Sequence, residues 1–318
     1  MISRLPAFAS LTFLIFFPLA SIVGCSQQPE ANETSSSGTP AETSDTGRKI
    51  TDLTTKTIPI EEYLLSGLQS RILLNAEYQL RVRCTDHFGV TYPNTPPSTA
   101  IDQSIAEYRY GITDPKYAEK YGYRTPGARQ SKAIEADIKH QEEIYKSLPD
   151  DVFLVLYGTS KEEIDSRARR EYRGQEVPQG GCIGKAHREL YGSSGGGDAK
   201  IADDINVRSY TESTKDRKVQ SAFSKWSTCM KAHGYDYEVP RDADNDSRWM
   251  NTKVTAAEKE TAKIDAECKA EFDVVEIWLE SDVSFQKKMI KKHAKEMSEI
   301  KKNIEEKVGR AKLILAKK

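Results

Sequence analysis

Four cysteines in helix-like settings, arranged in two matching frames, constrain the fold of this chain more than any other feature. The frames are Cys84-Thr85-Asp86-His87-Phe88-Gly89-Val90-Thr91-Tyr92-Pro93 and Cys229-Met230-Lys231-Ala232-His233-Gly234-Tyr235-Asp236-Tyr237. In each, a helically patterned segment ends on Cys, Gly follows five residues later and Tyr eight later, with Pro93 or Pro240 soon after. Glycine at that offset suits a left-handed exit from a helix, because it has no Cβ to clash at positive φ. The tyrosine can then fold back onto the helix end. One more cysteine follows each frame in a helix-like setting, Cys182 and Cys268. The pattern reads as a duplicated unit of helix, Cys, Gly turn, connection and Cys helix, with a much longer insert in the first copy.

The fifth cysteine, Cys25, belongs to the N-terminus. Arg4 precedes an apolar, uncharged run from Leu5 to Val23 that reads as the core of a secretory signal over residues 1–24. Pro6 and Pro18 count against a membrane-spanning helix, and no later segment is apolar enough to cross a bilayer. The run closes on Ile22-Val23-Gly24-Cys25, which resembles the lipobox of bacterial lipoproteins. That resemblance implies a diacylglyceryl thioether on Cys25, which becomes the mature N-terminus of an extracytoplasmic, lipid-anchored protein. Residues 25–57 then make a lipidated tether. The stretch 26–50 carries almost nothing that could be buried, so it cannot offset the entropy of ordering. The Cys229-Met230-x3-Gly234-Tyr235 stretch is also similar to one in secreted lipoproteins of Gram-positive bacteria. That likeness covers the cysteine segments only and brings no activity with it.

With Cys25 assigned to lipid, an even number of cysteines remains in an extracytoplasmic chain, which favours disulfides. Four cysteines allow three pairings, and the repeated frame selects Cys84–Cys182 and Cys229–Cys268. Two antiparallel helices can bring such cysteines within the Cα separation of about 4.4–6.8 Å that a disulfide needs. A zinc reading competes, since His87, His187 and His233 follow Cys84, Cys182 and Cys229 at metal-ligand spacing. Against it, histidines at helix ends interact favourably with the last carbonyls, and no Cys-x-x-Cys pair occurs. No metal and no cofactor is assigned.

The fold expected is mainly α: an irregular helical body stapled by disulfides, with a long C-terminal helix. Ile60, Tyr63, Leu64, Leu68, Ile72, Leu73, Ala76 and Leu80 recur at helical spacing and predict one helix of about six turns. A second helix is expected over 128–148, with Ile134, Ile138 and Ile144 on one face. Val152–Tyr157 is too short for its period to separate strand from helix. Residues 173–198 are glycine-rich and read as loop, with a short helix over 185–190. Helices follow over 214–233 and from 255 almost to the end. These elements group into a first unit over 58–212, a second over 213–280 and a basic C-terminal helix over 281–318. From Lys287 to Lys318 twelve Lys and Arg face four Glu, and Ile290, Met297, Ile304 and Ala311 recur every seven residues. That arm is suited to an anionic surface or a partner helix.

Catalytic constellations do not survive inspection. Gly192-Ser193-Ser194-Gly195-Gly196 matches a nucleophile elbow in letters but lacks the preceding strand. Gly184-Lys185 lacks the first glycine and the Ser or Thr of a phosphate loop, and Ser284-x-x-Lys287 and Ser298-x-x-Lys301 merely lie in a lysine-rich helix. Tyr108, Tyr110, Tyr117, Tyr121 and Tyr123, with Arg109 and Arg124, offer amphipathic rings beside guanidinium groups, suited to stacking on a ligand or a protein. Aromatic packing onto neighbouring helices explains them equally well. Net charge is −1, so the chain has no electrostatic footprint for nucleic acid. The function expected is a non-enzymatic, membrane-anchored binding protein at the cell envelope, its partner another envelope protein or a cell-wall component. The alternatives are an enzyme acting on the envelope and a substrate-capture lipoprotein serving a transporter.

Overall fold

The computed structural model describes residues 51–96, 104–125, 131–160, 170–192, 199–250 and 253–317. The signal-like run, Cys25, most of the expected tether and Ser194 lie outside these residues. Within them the chain is mainly helical, with twelve α-helices and one two-stranded antiparallel hairpin. The helices are α1 (Gly67–His87), α2 (Ala106–Arg109), α3 (Pro115–Tyr121), α4 (Ser131–Ser147) and α5 (Asp150–Tyr157). After the hairpin of β1 (Arg170–Tyr172) and β2 (Gln175–Val177) come α6 (Gly181–Tyr191), α7 (Lys200–Ser213) and α8 (Arg217–Ala232). The chain ends with α9 (Pro240–Asp244), α10 (Ala256–Glu271), α11 (Val274–Lys292) and α12 (Ala294–Ala316).

The folded body starts earlier than expected. Leu53 is only 2 % exposed and joins the core with Ile58 and Ile60, so the tether cannot extend to residue 57. The single first helix expected from Ile60 is two elements. Pro59–Tyr63 is a 3-10 turn, and α1 begins afresh behind Ser66, whose hydroxyl accepts from the Gln69 amide while Gln69 Oε1 accepts from the Ser66 amide. This reciprocal capping box satisfies donors that a continuous helix would have bonded internally. Val152–Tyr157 is helical, opened by Pro149 and stopped by the left-handed Gly158. The 173–198 stretch is less loop-like than its glycines suggest. It contributes β2 and all of α6, which starts four residues before the helix expected there. In α4, Ile144 packs inward but Ile138 is 53 % exposed, so the expected apolar face does not extend along the helix.

The long helical stretch from 255 is three helices. Asp273 turns left-handed at φ 51°, and His293 breaks the second boundary. Helices α3 and α8 pack on α10, and α7 and α8 pack on α11. Their shared core holds Trp226, Trp249 and Trp278 and draws residues from Leu53 to Val308. The core therefore crosses the expected unit boundaries at 212 and 280. A second cluster joins α1, α6 and α12 through Leu73, Ala76, Leu80, Leu190, Ala311 and Ile314. Smaller clusters under α5, α6 and the hairpin complete the far end of α1.

Candidate functional site

The two cysteine frames fold alike. After Cys84, the amides of Phe88, Gly89 and Val90 bond the carbonyls of Thr85, Asp86 and Thr85. After Cys229, the amides of His233, Gly234 and Tyr235 bond those of Met230, Lys231 and Met230, the same pattern at the same offsets. Gly89 and Gly234 take φ of 67° and 86°, which is why glycine stands there. Tyr92 and Tyr237, eight residues past each cysteine, are both buried. Disulfides join Cys84 to Cys182 and Cys229 to Cys268, at Cα separations of 5.5 and 5.9 Å. His233 lies with Cys229 and Cys268 so that their ligand atoms fall within 4.8 Å of one another. Both sulfurs are bonded to each other, so no thiolate remains for a metal ion.

Much of the tyrosine-rich segment is spent on the fold. Tyr110 is 1 % exposed and donates its hydroxyl to Asp282 Oδ2 at 2.9 Å. Arg109 beside it gives Nε to Asp282 Oδ2 at 2.5 Å and its other nitrogens to Asn206 and Ser209. Gln286 donates to Asp282 Oδ1 and accepts from the Ile60 amide, tying the first turn of the body to α11. Burial and the Asp282 carboxylate together push the Tyr110 phenol well above its ordinary pKa, so it stays a donor. Arg124 pairs with the buried Glu258 at 3.0 Å, and Tyr123 is 9 % exposed against Trp249. Tyr108, Tyr117 and Tyr121 are half-buried and lean ring on ring, at 6.2 and 4.9 Å between centroids. Tyr110, Tyr123 and Arg109 are thus committed to the interior, whereas Arg124, Tyr108, Tyr117 and Tyr121 keep part of their surface.

A second buried polar group was not legible beforehand. Trp226 Nε1 donates to Asp265 Oδ1 at 2.9 Å, and Lys269, 2 % exposed, pairs with Asp265 Oδ2 at 2.8 Å. Lys269 also donates to the Ile112 carbonyl, in space kept by Gly111, whose Cβ would stand 2.9 Å from the ammonium. Burial raises Asp265, opposed by Lys269. Nearby Asp244 is pushed up to about 6, mainly by burial.

The surface that remains open lies on the last two helices. The apolar stripe of α12, from Met297 through Ile300, Ile304, Val308 and Ala311 to Ile314, is buried against the body. Peeling it away would re-expose side chains worth about 1.5–3 kcal/mol each for the larger ones, so the stripe is no seam for a partner helix. Arg83 holds the end of α12 through the carbonyls of Ile314 and Lys317, and Arg310 donates to the Leu190 carbonyl. The lysines point the other way. Lys287, Lys288, Lys291, Lys292 and Lys295 are exposed and make no ion pair among the described residues. Of these, Lys287 and Lys291 line a groove of about 340 Å³ together with Tyr63, Ile290 and the Lys301–Glu62 pair at 2.9 Å, while Lys288 faces a second groove. That second groove, of about 360 Å³, has mixed charge. Neither is lined by a residue of the tyrosine segment. No described helix is long and apolar enough to cross a membrane. No protein-family model, curated protein or solved structure matches the chain.

Proposed function

We propose that this chain is a membrane-anchored extracytoplasmic lipoprotein that acts as a non-enzymatic binding protein at the cell envelope. Its anchor is lipid on Cys25, and its binding surface is the lysine-bearing face of α11 and α12. The observation that carries the address is the pair of disulfides, since such bonds persist in oxidising compartments. They sit on a chain whose apolar leader closes on Ile22-Val23-Gly24-Cys25. A binding role is supported by how the interior ionisable groups are used. Arg109 with Asp282, Arg124 with Glu258 and Lys269 with Asp265 hold elements together, while the unpaired charge is gathered outside. Two or more acyl chains on Cys25 suffice for stable anchoring, whereas one holds weakly. Cys25→Ser should abolish metabolic fatty-acid labelling and leave the protein in the medium or as an unprocessed precursor. Label that persists in the variant would rule out Cys25 as the lipid site.

A further inference from the structure

We infer that the lysine face and the groove beside it dock on the anionic headgroups of the same bilayer that holds the lipid anchor. The inference rests on the anchored reading above and gives it a geometry.

Charge selects the occupant. From Lys287 to Lys302 there are seven lysines against Glu296 and Glu299. Five of the seven have no ionic partner among the described residues, and Lys301 is used on Glu62. Some exposed lysines elsewhere are neutralised locally, as in Lys231 with Asp236 and Glu238, or Lys215 with Glu212, while others such as Lys218 and Lys225 stand singly on α8. The five lysines between 287 and 295 thus form the densest run of unpaired positive charge on α11 and α12, in a chain whose net charge is −1. Between the lysines, Tyr63 and Ile290 supply the apolar floor that a headgroup and the top of an acyl chain would meet.

Position selects the bilayer rather than a distant partner. The groove is walled on one side by Pro59, Glu62 and Tyr63, in the first turn of the folded body. Residues 26–50 can span at most about 90 Å even when fully extended. The groove is thus confined close to the membrane, where a tethered surface engages at high effective concentration. Weak contacts then suffice: each lysine near an anionic surface multiplies the bound population roughly fivefold, and the attraction fades beyond a Debye length of about 8–10 Å. The apolar stripe of α12 takes no part, because the body already covers it.

The test uses the lipidated chain in vesicles of phosphatidylcholine alone or with one quarter phosphatidylglycerol, read by amine-reactive footprinting and mass spectrometry. Lys287, Lys288, Lys291, Lys292 and Lys295 should be modified several-fold more slowly on the anionic vesicles. Lys218 and Lys225 on α8 should be unchanged, and 1 M salt should erase the difference. Equal rates on both vesicles overturn the inference. A second measurement separates it from the anchor: the unlipidated chain from Ser26 onward, which keeps every described residue, is sedimented with anionic vesicles at low salt. Loss of two lysines in Lys287→Gln/Lys291→Gln should cut its binding on the order of 25-fold; an unchanged partition refutes the docking whatever the state of Cys25. Protection by a soluble glycerophosphate polymer, with none from vesicles, assigns the face to a wall polyanion and also overturns it.

Discussion

Removing the two disulfides one at a time measures what each contributes, because they close loops of very different length. Cys84 and Cys182 lie 98 residues apart, Cys229 and Cys268 only 39. Restricting the unfolded chain over such loops stabilises the fold by about 4.7 and about 3.9 kcal/mol respectively at 25 °C. Packing adds to the same order: Cys84 and Cys182 are both buried, whereas Cys229 is half-exposed. Cys84→Ala/Cys182→Ala should therefore cost about 5 kcal/mol and Cys229→Ala/Cys268→Ala about 4 kcal/mol, read by urea unfolding of the otherwise oxidised protein. The m value should rise in both, since the unfolded chain loses a constraint. Exposure adds a kinetic expectation. A mild thiol should open Cys229–Cys268 in the folded protein, while Cys84–Cys182 should wait for unfolding of the cluster around it. A greater cost for the short loop would refute the loop-closure reasoning. Equal reduction rates would refute the burial argument.

Two further outcomes follow from the interior. Asp244 has a carboxyl pushed up to about 6 by burial, and its Oδ1 has no hydrogen-bond partner among the described residues. The folded state thus binds this proton more tightly than the unfolded state, so the group lowers stability as pH rises from 3.8 through about 6. Asp244→Asn should raise stability by up to about 3 kcal/mol at pH 7 and by little near pH 3.5; melts showing the same gain at both pH values contradict this. Gly181 sits at φ 63°, and a Cβ there would lie 2.3 Å from the Leu156 carbonyl, while Gly234 at φ 86° faces open space. Gly181→Ala should cost more than 3 kcal/mol by urea unfolding and Gly234→Ala about 1 kcal/mol. Equal costs would show that the close approach of α5 and α6 is unimportant.

The disulfide pairing and the twin turns were legible because their signals are local: Cys, Gly and Tyr at repeated offsets. Most helices were legible for the same reason, through spacing of three and four. The break at Ser66 had a signal in Ser66-x-x-Gln69, but the apolar period running through it concealed the cap. Val152–Tyr157 was bounded by Pro149 and Gly158, which mark a helix start and stop more reliably than six apolar residues mark a strand. Asp273 had no such signal, since it turns left-handed with neither glycine nor proline beside it to announce the break. The tyrosine segment shows the limit most clearly. Ring density can be counted in a sequence, but whether the rings face outward depends on Asp282, which lies 173 residues beyond Arg109. Likewise, a lysine in a helix is expected at the surface, and Lys269 goes inside because Asp265 one turn earlier goes with it.

The seating of α12 on α1 has a consequence for how the protein is made. Helix α1 buries Leu73, Ala76 and Leu80 against Ala311 and Ile314, and Arg83 is received by carbonyls at Ile314 and Lys317. A chain delivered from its N-terminus presents α1 long before α12 exists. At about 5–20 residues per second, the interval is roughly 10–50 s. For the first part of it α6 is missing too; afterwards the inner face of α1 has only α6 to lean on, and the mouth of the main core stands open until Val308 arrives. Maturation is consequently a closing event, completed when the turns carrying Val308, Ala311 and Ile314 arrive. Truncation there removes the latch rather than a dispensable tail.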